Sequence, residues 1–102
     1  MCSSDLAPEQ VESGTILDVR TDIYCLGATF YRILTGRAPV TGKTVDEIKK
    51  GILEQEPTPI HELDHTIPED LSKIVRRMLR KDPQKRYPEI KNVIFALKKI
   101  LL

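Results

Sequence analysis

An all-α fold is what the sequence predicts, and three observations carry that expectation. Four segments place apolar residues three or four apart, the spacing of a helix with one buried face. These segments begin or end at capping residues, glycine or proline. No stretch alternates apolar with polar residues as a half-buried strand does, and no internal repeat is present.

The first long helix is expected from Thr21 to Gly36, at the centre of the fold. Thr21 is placed as its N-cap, Asp22 puts a negative charge in the first turn where the helix dipole favours it, and Gly36 suits a left-handed C-terminal turn. Between those ends Ile23, Tyr24, Cys25, Leu26, Ala28, Phe30, Tyr31, Ile33 and Leu34 leave no wide polar face, so the helix is expected inside a core. A membrane span would need about 20 apolar residues; this run is too short and contains Arg32. Ahead of it, Ala7-Pro8-Glu9-Gln10-Val11 reads as one helical turn with proline where it costs least, and Ser13-Gly14-Thr15 breaks the chain.

After Gly36, Pro39 and Gly42 interrupt any regular pattern and make a loop. Thr44 and Glu47 form a capping box before a second helix, Val45 to Leu53, with the stripe Val45, Ile48, Ile52 and Leu53; Gly51 weakens it. Pro57, Pro59 and Pro68 bracket another loop. A third helix begins at Pro68, with Leu71, Ile74, Val75, Met78 and Leu79 on one face and Lys73, Arg76, Arg77 and Arg80 elsewhere, its cations gathered at the end the dipole favours. Lys81 to Arg86 is a turn, and Pro88 opens a fourth helix with the stripe Ile90, Val93, Ile94, Leu97, Ile100 and Leu101.

The 102 residues allow one domain at most, and 40% hydrophobic with 30% charged residues is an ordinary soluble composition. A net charge of +1 argues against nucleic acid or a membrane surface as a partner recruited by overall charge. Cys2 and Cys25 lie far apart, and Cys25, within the buried helix, reads as a buried thiol suited to a reducing cytosol. Met1 to Leu6 has neither helical nor strand period. Back-translated with a GTG start, it matches the end of a common sequencing adapter. Residues 1–6 are therefore expected to be a non-native leader, which would make the rest, from Ala7, a fragment; a natural disordered terminus is the alternative.

Two motif matches have the letters of a site without its setting. His61-Glu62-Leu63-Asp64-His65 spells the zinc-protease pattern, which works only on a helix that puts both imidazoles on one face; here it lies between prolines without an apolar stripe. Gly36 to Thr44 resembles a phosphate-binding loop but has one residue too many between Gly36 and Gly42, and no preceding strand. Neither zinc nor phosphate is expected there, and no serine or cysteine nucleophile is seen beside a histidine base.

Four other stretches fall in a telling order: Ala7-Pro8-Glu9, Asp22 to Gly27, Leu34 to Pro39, and Met78 to Arg86. In order and spacing they resemble successive landmarks of the protein kinase fold, from Ala7 to the end of the chain, with the flavour of bacterial serine/threonine kinases. The resemblance implies that Ala7-Pro8-Glu9 closes the activation segment, that Thr21 to Thr35 is the central helix of the large lobe, and that the remaining stripes are its last three helices. It also implies structural roles for three residues: Asp22 accepts backbone hydrogen bonds from the catalytic loop, and Glu9 pairs with Arg86. Tyr24 stands where many members have tryptophan and Val40 where many have phenylalanine, departures that bear on subfamily and not on fold.

Phosphoryl transfer needs a glycine-rich loop over the phosphates, a strand lysine, a catalytic-loop aspartate and asparagine, and a magnesium-binding Asp-Phe-Gly aspartate. The chain contains none of them, so no catalytic, cofactor-binding or metal residue is assigned. The expectation is a C-terminal part of the large lobe, itself inactive. Its parent would use ATP and magnesium to phosphorylate protein substrates in the cytoplasm, with any membrane anchor elsewhere. A free-standing helical module that binds a partner protein is the alternative.

Overall fold

Helix α1 (Val19–Thr35) carries two apolar stripes rather than one continuous apolar surface. The computed structural model describes residues 7–8 and 19–101; after α1 come α2 (Val45–Glu54), α3 (Ile60–Leu63), α4 (Glu69–Met78), a 3₁₀ turn (Pro83–Lys85) and α5 (Ile90–Leu101). Among the described residues there is no strand, and no helix is long and apolar enough to cross a membrane.

The two stripes of α1 face two cores. Tyr24, Ala28 and Tyr31 pack with Ala7, Ile60, Val75 and Leu79, so α3 and α4 close one side. Ile23, with Leu26 and Phe30 at its edge, packs with Ile74, Met78, Tyr87 and Val93, so α4 and α5 close the other. Between the stripes, Asp22, Cys25, Thr29 and Arg32 recur every three or four residues and form the less buried strip. Here the structure corrects the expectation of a helix without a solvent face: Ile33 is 73% exposed, and Cys25 is half-buried.

Both ends of α1 are informative. The helix includes Val19 and Arg20, so Thr21 is a buried residue of its first turn and not its N-cap. Gly36 does end it: φ is +76°, and the Gly36 N–H donates to the Arg32 carbonyl at 2.9 Å, the left-handed closure glycine tolerates without strain. Gly27 has a different reason to be glycine. A Cβ there would lie 2.7 Å from Met78 Cβ, so α1 and α4 cross too closely for any side chain.

The capping of α2 is more extended than a reciprocal box. Thr44 Oγ1 accepts from the Glu47 N–H at 3.1 Å, but Glu47 Oε2 accepts from the Lys43 N–H at 2.7 Å, one residue earlier than expected. Of its stripe, Ile52 is fully buried while Val45 is exposed. Gly51 lets the preceding loop pack onto the helix, since a Cβ there would meet Val40 Cγ1 at 2.5 Å.

The loop expected between Pro57 and Pro68 holds one helical turn, α3, with Pro59 at its N-cap and Ile60 in the core. A single turn is too short to show a period, and proline at a helix start costs little. In α4 the expected face is buried as predicted at Ile74, Val75, Met78 and Leu79. In α5 the stripe is rotated: Val93, Ala96, Leu97 and Ile100 face the core, while Ile94 and Phe95 are exposed.

Candidate functional site

The most constrained polar group is Arg86, the first residue after the 3₁₀ turn. Asp82 starts that turn, its Oδ1 accepting from the Gln84 N–H at 2.9 Å, and Pro83 fixes the backbone that follows. The chain then directs Arg86 inward, where the residue is 1% exposed. Its Nε donates to the Arg80 carbonyl at 2.7 Å, Nη1 to the Arg20 carbonyl at 3.0 Å and Nη2 to the Lys81 carbonyl at 3.4 Å. The guanidinium also lies over the Tyr24 ring, 4.9 Å from its centroid.

These contacts bind the start of α1 to the segment leaving α4. A buried cation is tolerable only where acceptors replace water, and carbonyl oxygens beyond a helix end still need donors. Arg86 meets both requirements at once. Lys81 lies beside it and donates from Nζ to the Gly51 carbonyl at 3.4 Å, which brings the end of α2 to the same junction. Burial pushes the Lys81 ammonium pKa below its ordinary value; Glu56 pulls it back up, and the Arg86 charge pushes it down.

Of the three residues given structural roles from sequence, the structure thus places Arg86 at a junction of elements. Asp22 sits exposed in the first turn of α1, and Glu9 lies outside the described residues. Ala7 is fully buried against Tyr24, Ala28 and Tyr31, so the start of the Ala-Pro-Glu landmark docks on the central helix.

The motif-like segments have other employments. α3 ends at Leu63, so His61 and His65 do not share a helix face. Asp64 Oδ1 instead accepts from the Thr66 N–H at 3.0 Å and the Thr66 hydroxyl at 2.6 Å, bonds that hold its carboxyl pKa below the usual value. Among the described residues no three His, Cys, Asp or Glu side chains converge as a metal site would require. Where the loop enters α2, the Lys43 amide and the Glu47 amide of the first turn are taken by the capping bonds.

One pairing escaped the sequence. His61 Nδ1 and the Ser72 hydroxyl share a hydrogen bond of 2.9 Å, although no local pattern links residues on different helices. Ser72 is buried, and its oxygen also lies 3.5 Å from the His61 N–H as acceptor. The adjoining cavity, between Tyr31, Ile60 and Val75, has a volume of about 10 Å³, room for about one water. The pair pins α3 to α4.

Comparison with known proteins decides which helical fold this is. The family model described as "Protein kinase domain" matches residues 3–96. The chain belongs to the protein kinase family. A probable serine/threonine-protein kinase of Clostridium perfringens is 33% identical over 94 residues, covering 92% of this chain and 14% of that protein. Serine/threonine-protein kinase PknB of Mycobacterium tuberculosis is 34% identical over 82 residues, covering 80% of this chain and 13% of that protein. The chain thus spans about a seventh of the curated relatives it matches. These two relatives are bacterial and are described as serine/threonine-protein kinases, and the all-helical architecture accords with the C-terminal helical lobe of the kinase domain.

Proposed function

We propose that the chain is a C-terminal part of the large lobe of a serine/threonine protein kinase. The whole protein would transfer the ATP γ-phosphate, with magnesium, to serine or threonine hydroxyls of protein substrates in the cytoplasm. The observation that carries this reading is the single family match from residue 3 to residue 96, joined to relatives named as serine/threonine kinases. In this reading residues 7–102 are the kinase part.

The segment acts as scaffold. It holds the end of the activation segment, at Ala7, against α1, and locks the start of α1 through Arg86. Asp22 would receive the catalytic-loop amides in the whole domain, and Glu9 would meet Arg86. The chain by itself has none of the groups that hold nucleotide or metal in kinases, so it is inactive.

Two measurements test the reading. Calorimetry of the purified chain with ATP and magnesium should show no micromolar binding, and labelled ATP should transfer nothing to a generic protein substrate. In clean genomic DNA, the frame upstream of Ala7 should encode a His-Arg-Asp-like catalytic loop and Asp-Phe-Gly. A promoter in their place would sink the assignment.

A further inference from the structure

With its apolar stripe turned inward, α4 leaves Lys73, Arg76 and Arg77 on its outer side, and the partly exposed Arg80 follows just beyond its end. The 3₁₀ turn brings Gln84 and Lys85 to the same place, and the six side chains line one open depression of about 630 Å³. Among the described residues, none of Lys73, Arg76, Arg80 and Lys85 is in an ion pair, whereas Lys91 pairs with Glu89 at 3.0 Å. The whole chain carries a net charge of only +1, so this is a local concentration of positive charge and not a consequence of a basic protein.

The depression has a neighbour of different character. Arg77 lies over the Tyr87 ring, 4.2 Å from its centroid, and both residues line a second hollow of about 380 Å³ that reaches Phe95 and Lys99. Phe95 is 61% exposed, with the Lys99 ammonium 4.7 Å from its ring centroid. Arg77 is common to both hollows, so a cationic bowl leads into an aromatic-walled recess.

We propose that this surface docks a phosphorylated segment of a partner protein, its phosphate in the cationic bowl and a nearby apolar side chain against Phe95 and Tyr87. A phosphate ester carries about −1.5 to −2 charges at neutral pH, and guanidinium forks match its oxygens better than point charges do. Three of the five cations are arginines. The concave form suits a side chain that inserts, whereas a bilayer would favour an apolar face laid flat beside the cations. Duplex nucleic acid would need positive charge tracking a longer backbone. The inference does not depend on phosphoryl transfer, because binding is measured on this chain without nucleotide.

The test is fluorescence anisotropy of the 102-residue chain with a labelled acidic peptide carrying phosphoserine two residues before phenylalanine, beside its unphosphorylated twin. The phosphopeptide should bind at least about tenfold more tightly than the twin, as charge-assisted forks imply. Arg76→Glu with Arg80→Glu should weaken it by at least about tenfold, and Phe95→Ala by about threefold to tenfold. Lys49→Glu with Lys50→Glu, exposed on α2, should leave it unchanged. Should the charge reversal unfold the chain by circular dichroism, the milder Arg76→Gln with Lys85→Gln must still lower affinity. Equal binding of the twin, or equal loss in the α2 variant, would overturn the proposal. So would phosphatidylserine vesicles or a single-stranded oligonucleotide binding more tightly than the phosphopeptide through Arg76 and Arg80.

Discussion

Arg86 and Arg76 carry the same guanidinium and sit in neighbouring segments, yet they live in opposite surroundings. Arg86 is enclosed by three carbonyl oxygens and the Tyr24 ring, while Arg76 lines an open hollow among like charges. The difference lies in the acceptors the backbone offers. Where the chain leaves α4 and turns, carbonyls point inward and a planar donor can satisfy several together. On the outer side of α4 the carbonyls are already used by the helix, so its cations turn to water. Substitution at each place should separate a cation that holds the fold from one available to a partner.

The largest effect is expected at Arg86. Arg86→Ala leaves buried acceptors without their donor and opens space beside Tyr24, at a cost of about 3 to 5 kcal/mol, against a domain stability of about 5 to 15. Lysine should rescue only part of this, since a point charge cannot reach separate carbonyls as the fork does. Urea melts of the two variants measure both. A loss below about 1 kcal/mol for alanine would put Arg86 in the same class as the outer cations.

Next comes the crossing that sets where Arg86 can reach. Gly27→Ala brings a Cβ within 2.7 Å of Met78 Cβ, a backbone-anchored atom that cannot swing aside. The helices must part, and overpacking of this kind costs about 1 to 3 kcal/mol. Alanine ordinarily favours a helix over glycine by about 1 kcal/mol, so a stabilised variant would show that the close crossing does not exist.

How much of this was legible in the sequence follows from physical range. The long helices were readable because an apolar stripe repeats every turn, and Gly36 because a helix end needs a left-handed residue. α3 was not, since one turn has no period. The solvent strip of α1 was hidden by Cys25 and Ile33, whose apolar character filled the gaps among Asp22, Thr29 and Arg32. Gly27 stood out as part of a landmark, but only the geometry shows Met78 as its cause. Arg86 was given a partner by resemblance alone, and the carbonyls that surround it belong to no side-chain pattern. The Ser72–His61 bond joins residues on separate helices and leaves no local signal.

A smaller effect should appear at Tyr31, whose hydroxyl donates to the Thr58 carbonyl at 2.6 Å and ties α1 to the strand-free segment before α3. Tyr31→Phe should cost about 1 kcal/mol at neutral pH. Burial raises the Tyr31 pKa, while Arg37 pulls it down. The folded state then holds its phenolic proton more tightly than the unfolded one. That contribution is fully present below the ordinary tyrosine pKa of about 10 and is lost as pH rises through the raised folded value. Phenylalanine should remove this share of the alkaline loss, leaving the share from Tyr87, whose pKa burial also raises. An unchanged slope above about pH 10 would mean that the Tyr31 hydroxyl is as solvated in the fold as outside it.

The smallest effect is expected where the comparison began, on the outer side of α4. Arg76 has a like charge at Lys73, three residues earlier on the helix, and such a pair opposes the helix by about 0.2 to 0.5 kcal/mol. It also stands in the last turn of α4, where a cation gains about 0.3 to 1 kcal/mol from the dipole. These terms oppose each other at similar size, so Arg76→Gln should change stability by no more than about 0.5 kcal/mol in either direction. Both are screened, so the residue should shrink further between low salt and about 1 M salt, where the Debye length falls to about 3 Å. A loss above about 1 kcal/mol that persists at high salt would require Arg76 to be bound within the fold as Arg86 is, and would remove it from the surface available to a partner.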